Sequence, residues 1–461
     1  MSQRTKRIIL GVAVVQVVLI LGLLVLPQAV QAVPGRYRVA LAERYPFFSQ
    51  VFEDVIAQVA PVADALPAPE LPIDAVSITI PTLVPTSAPA ASPTPSPTMT
   101  QDDTMAVQSE SEAVSTASPT PSPTPSPTIT PTPEPLPDRK LLTGIKRIQQ
   151  SFNNCGPANL TQVLNWYGNE TTQAEAASYL KPNAEDRNVS PWQLSDYVNE
   201  FTELKSTVHS GGNLEMLKRF IAAGFPVVIE KGYEPNTSSS QGWFGHYLTV
   251  FGYDEEQQVF HSMDSYLKVD ETVGRSDSYE DIAYYWQQFN YTFYVVYEPD
   301  QEPIVQSILG PELLEPMKMW ELAAQRAQKE LEQDPDNAFA WFNLGTSLTR
   351  LGELTGSAGY YENGAAAFDQ ARAIGLPPRM LWYEFRPYLA YMKVARYDDM
   401  IALADTILES QGGRNVEETY LYKGHALLFQ GDVTGASEAY RRALELNGNF
   451  YPAEIALQSI S

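Results

Sequence analysis

An α+β domain followed by an all-α region is the architecture that the 461-residue sequence predicts, and three observations support it. Within residues 139–299, two amphipathic helical stretches precede four short runs of β-branched and aromatic residues, an order typical of α+β folds. Across residues 316–461 the apolar spacing is helical and repeats itself. A long tract of Pro, Ser and Thr precedes both regions and lacks the apolar residues that a core requires.

The N-terminus, residues 1–34, has the pattern of a transmembrane anchor or a signal peptide. Basic residues precede an uncharged, almost wholly apolar run from Ile8 to Leu26, which is near the minimum that spans a ~30 Å hydrocarbon layer. The basic end is expected to stay in the cytoplasm. Because the small residues around Ala32 offer a cleavage site, the chain is predicted to be either a single-pass membrane protein with an extracytoplasmic body or a secreted protein.

A juxtamembrane segment, residues 35–66, and a disordered Pro/Ser/Thr linker, residues 67–138, are predicted to follow. Repeats such as SPTPSPTPSPTITPTP favour extended polyproline II, at ~3.1 Å per residue. On that basis residues 81–138 would reach on the order of 150 Å. We interpret this segment as a spacer.

Composition excludes one class of partner and one kind of stabilisation. The chain has 31 Lys+Arg against 55 Asp+Glu, a net charge of −24, whereas a general nucleic-acid binder needs basic surface. A single cysteine cannot form an intramolecular disulfide, so stability has to come from packed cores.

That cysteine, Cys155, lies in a pattern that favours a nucleophile over an inert buried thiol. Pro157 suits the first turn of a helix, so the helix is predicted to begin at Cys155 and its positive end to lower the pKa of the thiol. Gly156 is expected to leave room for a substrate backbone. Upstream, Gln150 or Gln149 can donate an amide N–H to an oxyanion, and Gln150 is preferred. The predicted inward stripe of this helix comprises Leu160, Val163, Leu164 and Tyr167.

Four histidines are candidates for the base that a thiolate mechanism requires. His425 lies in the helical region and is expected to be structural, and His209 is expected at the surface of a loop. His246 opens the run HYLTVFGYD, and a turn after this run would bring Asp264 back beside it. His246 is therefore the predicted base, with His261 as the rival. No metal-ligand spacing and no phosphate-binding glycine loop is present, so no metal or cofactor is predicted.

A second helix is predicted after Asn213, which can cap it, and Gly224 is expected to stop it. In the C-terminal region, small and large residues alternate at tetratricopeptide spacing. The last copy shows the pattern most completely, an earlier copy has an insertion, TGSAGYY, and a degraded copy lies between them. About three repeats are predicted to form a solenoid that binds a protein partner. The last copy is defined by Tyr420, Gly424, Leu427, Ala436, Tyr440 and Ala443.

Three motifs, taken together, resemble those of a known peptidase family. They are Q-x4-C-G-P-A, G-x-P-V, and G-H-Y-x-x-V-x-G-Y-D followed by a strand that ends in Asp. This family is that of papain-fold cysteine peptidases that process bacteriocin leaders at double-glycine sites, and the stand-alone peptidase-like relatives are more similar. The resemblance covers about residues 141–299 and implies a papain-like domain. In that family a proline usually follows the third catalytic residue, where this chain has Ser265. The resemblance implies the following roles: nucleophile, Cys155; general base and acid, His246; orienting carboxylate, Asp264; oxyanion donor, Gln150.

The function that the sequence predicts is an extracytoplasmic, membrane-tethered or exported cysteine peptidase that cleaves peptide amides. Its expected partners are a peptide or protein substrate, a protein bound by the repeats, and the membrane through the N-terminal helix. A catalytically inactive, peptidase-like scaffold that binds peptides is the alternative.

Overall fold

A computed structural model describes most of the two folded regions and little of what precedes them. The predicted membrane segment, and all but the ends of the predicted linker, lie almost entirely outside the described residues. Among the residues that are described, no helix is both long and apolar enough to cross a bilayer. The described residues are 16, 37, 65–69, 135–234, 242–410 and 412–461.

The α+β region is built on an antiparallel sheet of seven strands, counted over the described residues. Its order is β2-β7-β3-β4-β5-β6, and β1 pairs with the far end of β4. The runs that the sequence predicted as strands form β3, β4, β5 and β7, which confirms those four. The strands are β1 Arg139–Leu141, β2 Lys205–His209, β3 Val227–Tyr233, β4 Phe244–Asp254, β5 Val259–Met263, β6 Arg275–Ser278 and β7 Phe293–Tyr297.

Helices cover both faces of the sheet because successive strand residues point to opposite sides. Val228 and Tyr247 pack with α1, α2 and α3, whereas Ile229 and Leu248 pack with α4 and α5. The predicted cap and stop of α4 are confirmed: the Asn213 side chain accepts from the Met216 N–H at 2.9 Å, and Gly224 has φ +100°. The helices are α1 Cys155–Trp166, α2 Gln173–Leu180, α3 Pro191–Phe201, α4 Leu214–Ala222 and α5 Tyr279–Gln287.

From Glu302 onward the regular elements of the described residues are helices, and glycines allow consecutive helices to pack closely. A Cβ on Gly345 would overlap the ring of Phe368, and one on Gly424 would overlap the ring of Tyr440. The TGSAGYY insertion lengthens α8 and α9 instead of forming a long loop. These helices are α6 Glu302–Leu314, α7 Pro316–Gln333, α8 Ala338–Thr355, α9 Ala358–Ile374, α10 Arg386–Lys393, α11 Tyr397–Glu409, α12 Glu417–Phe429, α13 Val433–Leu446 and α14 Tyr451–Gln458.

The α+β region and the helical region share their hydrophobic core. Trp286 of α5 belongs to the same buried cluster as Trp320 of α7. A second cluster joins Trp243 and Phe289 to aromatic residues that follow α9, among them Tyr383. The Tyr383 hydroxyl accepts from the Gly245 N–H, one residue before His246. The helical region therefore contacts the strand that carries the predicted base.

Both described ends of the predicted linker are docked on this folded unit. Leu66 is buried and its N–H donates to the Leu376 carbonyl at 3.1 Å, while Arg372 Nε donates to the Pro67 carbonyl at 2.8 Å. At the other end, the Asp138 carbonyl accepts from the Glu255 N–H at 2.8 Å. The docked residues therefore include Pro67 and Asp138, the first and last residues of the predicted linker.

Because the core is shared, a cavity in the helical region should lower the stability of the whole unit. Phe368 is 1% exposed, and we expect Phe368→Ala to reduce the free energy of unfolding by about 3–5 kcal/mol. The matched control, Phe429→Ala, removes a ring that is 57% exposed and should cost less than about 1 kcal/mol. Urea unfolding is followed by circular dichroism and by Cys155 alkylation; transitions that do not coincide would contradict a single cooperative unit.

Candidate active site

The first turn of α1 occupies a gap in the sheet, and this places Cys155. Pairing between β5 and β4 ends at Met263 and Thr249, so β5 leaves β4 before Tyr247 is reached. The Tyr247 carbonyl accepts from Asn159 Nδ2 at 3.0 Å, and the Tyr247 N–H donates to the Cys155 sulfur. The start of α1 thus bonds to β4 where β5 is missing. The prediction that the helix begins at Cys155 is confirmed.

Cys155, His246 and Asp264 form one hydrogen-bonded line. His246 Nε2 lies 3.0 Å from Asp264 Oδ1, and the imidazole also hydrogen-bonds the Cys155 thiol. Since Nε2 is engaged by the carboxylate, Nδ1 is the ring nitrogen left for the thiol. The exposed fractions are 9% for Cys155, 3% for His246 and 1% for Asp264, so the line is shielded from bulk water.

The carboxylate of Asp264 is fixed by donors from the loop after β5. Its Oδ1 also accepts from the N–H groups of Tyr266 at 2.8 Å and Leu267 at 2.9 Å. Arg275 Nη1 donates to Oδ2 at 3.2 Å. Burial alone would raise the pKa of Asp264, but the charge and hydrogen bond of His246, with these donors, hold that pKa well below its usual range.

The charges of the line favour a thiolate–imidazolium pair. Burial tends to lower the pKa of His246, yet the charge and hydrogen bond of Asp264 raise it to about 9. For Cys155 burial raises the pKa, but the hydrogen bond and charge of His246 outweigh that effect and the pKa is lowered. Each shift favours the charged form of its group, the imidazolium of His246 and the thiolate of Cys155.

The turn before Cys155 is held by a buried lysine. Asn153 has φ +55°, in the left-handed region that an asparagine in a turn can adopt. Lys181 Nζ donates to the Asn153 carbonyl at 2.9 Å and to the Asp186 carbonyl at 2.8 Å. Its positive charge also lowers the pKa of Cys155. The Asn154 side chain does not cap α1, so the first N–H groups of the helix remain available to an anion.

A chain of hydrogen bonds fixes the amide of Gln150. Asn159 Nδ2 lies 2.9 Å from the Cys155 carbonyl and 3.0 Å from Ser265 Oγ, and a carbonyl can only accept. Ser265 Oγ therefore accepts from Asn159 and donates its own hydrogen to Gln150 Oε1 at 2.9 Å. The Gln150 N–H also donates to the Ser265 carbonyl at 2.9 Å. This leaves Gln150 Nε2 as the amide group not engaged by Ser265.

The other candidates lie elsewhere. Gln149 is exposed, and His261 is half-exposed on β5 with Nδ1 3.2 Å from Ser276 Oγ. His425 hydrogen-bonds the Tyr440 hydroxyl within the helical region. The expectation of a surface position for His209 is wrong: it is 7% exposed on β2, its Nδ1 lies 3.1 Å from the Leu313 carbonyl, and burial lowers its pKa to about 4.

The expectation for Gly156 is also wrong. A Cβ there would meet Tyr247 at 3.4 Å and Leu194 at 3.5 Å, which is ordinary van der Waals contact, so the position faces the sheet and α3 and does not line a path for substrate. Within the described ranges, no group of three or more His, Cys, Asp and Glu side chains is arranged to hold a metal ion.

Four residues of this site have no counterpart in the sequence-based predictions: Asn159, Lys181, Ser265 and Arg275. Of these four, Asn159 is the one that the sequence could have indicated. Its amide lies four residues after the predicted helix start and next to the apolar stripe, which is a pattern typical of a buried polar contact. The other three act through neighbours more than 10 residues away, so no local pattern marks them.

Residues 142–294 match the model of the Peptidase_C39 like family. The match supports the predicted resemblance and suggests cysteine peptidase activity for this domain. A solved structure from Bacillus anthracis, described as a "putative C39-like peptidase", is 16% identical; the alignment covers 35% of this chain and 98% of that one, with a TM-score of 0.29. No curated protein matches the chain. The chain thus contains a C39-like α+β domain with an antiparallel sheet, followed by many helices.

The hydrogen bond between Cys155 and His246 predicts how the thiol reacts with pH. An ordinary thiol has a pKa of about 8.5, and the pKa of Cys155 is lowered. In the wild type, alkylation of Cys155 by iodoacetamide should therefore remain fast below about pH 8.5. His246→Ala removes the imidazolium but leaves the burial, so the thiol pKa should rise and the rate at pH 7 should fall at least about tenfold. His261→Ala is the matched control and should leave the profile unchanged. Equal effects of the two substitutions would rule out His246 as the partner.

Proposed function

We propose that this protein is a cysteine peptidase in which Cys155 is the nucleophile, His246 the general base and acid, Asp264 the orienting carboxylate and Gln150 the oxyanion donor. The observation that carries the proposal is the grouping of these side chains: His246 Nε2 lies 3.0 Å from Asp264 Oδ1, and the hydrogen bond and charge of His246 lower the pKa of Cys155. Triads of this kind activate a thiol by holding the imidazole in one tautomer and stabilising its cationic form.

The reaction is acyl transfer in two halves. The Cys155 thiolate attacks the peptide carbonyl carbon, an S–C bond forms, and the carbonyl oxygen becomes an oxyanion that accepts from Gln150 Nε2 and from N–H groups at the start of α1. The His246 imidazolium then protonates the leaving nitrogen as the C–N bond breaks. Water, deprotonated by the neutral imidazole, attacks the thioester, and the returning C–S electrons restore the thiolate while the acid product leaves.

Location and partners complete the proposal. The N-terminal segment of residues 1–34 would anchor the chain or direct its export, which places the peptidase outside the cytoplasmic membrane. The helix pairs α8–α9, α10–α11 and α12–α13 would be three tetratricopeptide repeats. In the first and third pairs a glycine of one helix packs against an aromatic ring of the other, Gly345 against Phe368 and Gly424 against Tyr440. Such repeats would bind a protein partner.

The test is cleavage of a defined mixture of synthetic peptides by the full chain, with new termini identified by mass spectrometry. We expect cleavage by the wild type and none by Cys155→Ala, because no other group of the line can form the acyl intermediate. Cleavage that persists in Cys155→Ala would contradict the proposal. A reactive Cys155 with no cleavage of any peptide would favour the catalytically inactive peptide-binding scaffold.

The oxyanion role of Gln150 makes a sharper prediction. On the best peptide of that mixture, Gln150→Ala should lower kcat about 10²–10³-fold with little change in KM, because the lost hydrogen bond strengthens in the transition state. Its neighbour provides the control: Gln149 is exposed, and Gln149→Ala should keep near-wild-type kcat. A larger loss in Gln149→Ala would reverse the assignment.

A further inference from the structure

Two aromatic side chains flank the imidazole of His246 and a third contacts both of them, and neither the sequence-based predictions nor the mechanism gives these rings a role. The ring centroids of Tyr233 and Tyr266 lie 6.2 Å and 6.3 Å from that of His246. Phe244 lies 5.0 Å from Tyr233 and 6.0 Å from Tyr266, so the three rings contact one another as well. We call Tyr233, Phe244 and Tyr266 the aromatic rim.

The aromatic rim presents apolar surface to solvent beside a buried imidazole. Tyr266 is 41% exposed, and Tyr233 and Phe244 are half-buried, whereas His246 is 3% exposed. Aromatic residues in the body of the sheet, such as Tyr247 and Phe251, are less than 2% exposed. A cluster of partly exposed rings next to a reactive group is the kind of apolar patch that marks a binding site.

The rim is held by the same elements that hold the line of three. The Tyr266 N–H donates to Asp264 Oδ1, the oxygen that also bonds His246. Tyr233 and Phe244 are directly opposed in the pairing of β3 with β4, two residues before His246 on β4. Lys231 Nζ lies 5.5 Å from the Tyr233 ring centroid. The rings are therefore positioned with the imidazole and do not depend on a substrate to order them.

The chemistry fixes which part of a peptide meets these rings. The imidazolium has to reach the nitrogen that leaves, so the residue immediately after the scissile bond lies against His246. Its side chain then faces the rings that surround that imidazole. We propose that the aromatic rim is the subsite for this residue and that it selects a large apolar or aromatic side chain. The inference rests on the proposed function and adds to it the substrate class on the leaving-group side.

The experiment compares alkylating probes and needs no turnover. The N-iodoacetyl amides of phenylalanine, leucine, alanine and aspartate react with the full chain; the Cys155 thiolate forms the S–C bond and iodide leaves. Each rate is divided by that for reduced glutathione, which corrects for intrinsic reactivity. We expect the phenylalanine probe to exceed the alanine probe on the order of tenfold, because a ring is buried against the rim.

Variants distinguish two possible roles of the aromatic rim: a subsite that binds a substrate side chain, and a shield that only excludes water from the His246–Asp264 hydrogen bond. Tyr266→Ala should reduce the phenylalanine-to-alanine ratio to within about threefold of unity, whereas Tyr266→Phe keeps the ring and should keep the ratio. A shield would change all rates together and leave the ratio alone. The matched control is Tyr179→Ala, because Tyr179 is 43% exposed and belongs to another trio of rings, with Tyr197 and Phe201.

The outcomes distinguish this inference from the proposed function. A ratio near one in the wild type, or a ratio that Tyr266→Ala does not change, would overturn the subsite while a reactive Cys155 left the peptidase proposal standing. A Cys155 that reacts with no probe at any pH would overturn both. A ratio that falls equally in Tyr179→Ala would also overturn the subsite, since the effect would not be local.

Discussion

The geometry of the site depends on the hydrogen bonds made by the buried side-chain amide of Asn159. Its Nδ2 lies among the carbonyls of Cys155 and Tyr247 and the hydroxyl of Ser265, and its Oδ1 accepts from Thr249 Oγ1 at 2.7 Å. One amide thus ties the nucleophile's helix to β4 and to the loop that carries Asp264. An unpaired buried amide costs about 1–3 kcal/mol, so each of these elements is held in register by the others. The orientation of the Asn159 amide makes Ser265 Oγ a hydrogen-bond acceptor from Asn159, so Ser265 donates to Gln150 Oε1 and thereby orients the Gln150 amide.

The helical region is part of the support of the site as well as a separate surface. It completes the core beneath α5, and its Tyr383 hydroxyl bonds the backbone one residue before His246. A platform that only bound partners would not need to share aromatic residues with the sheet. The α+β region and the helical region differ in sequence pattern, but their side chains pack in the same hydrophobic clusters.

Local patterns were enough to predict much of the fold, and contacts between distant residues explain what they missed. The start of α1 and both ends of α4 follow from Pro157, Asn213 and Gly224, whose effects are confined to a turn. By contrast β6 is a short polar strand, and its pairing with β5 alone makes it a strand. His209 is buried because α6 lies beside β2. The residues near His209 in the sequence do not indicate this long-range contact.

The candidate site shows the same division. Cys155 and His246 stand out because the chain has one cysteine and four histidines. Asp264 could be predicted because β4 and β5 form a hairpin, which brings it back beside His246 over a short stretch of sequence. Arg275 and Ser265 act on groups that only the folded sheet places beside them. The resemblance implies a proline at position 265, but the Ser265 hydroxyl directs the Gln150 amide, a role that a proline ring cannot take.

The two docked ends of the Pro/Ser/Thr tract change what its length controls. Pro67 and Asp138 are both bonded to the same folded unit, so the packing of that unit fixes the positions of both ends of the tract. The separation of these two ends is therefore the same whatever the number of Ser-Pro-Thr-Pro units between them. A segment that is fixed at both ends cannot vary the distance between the two residues that it joins.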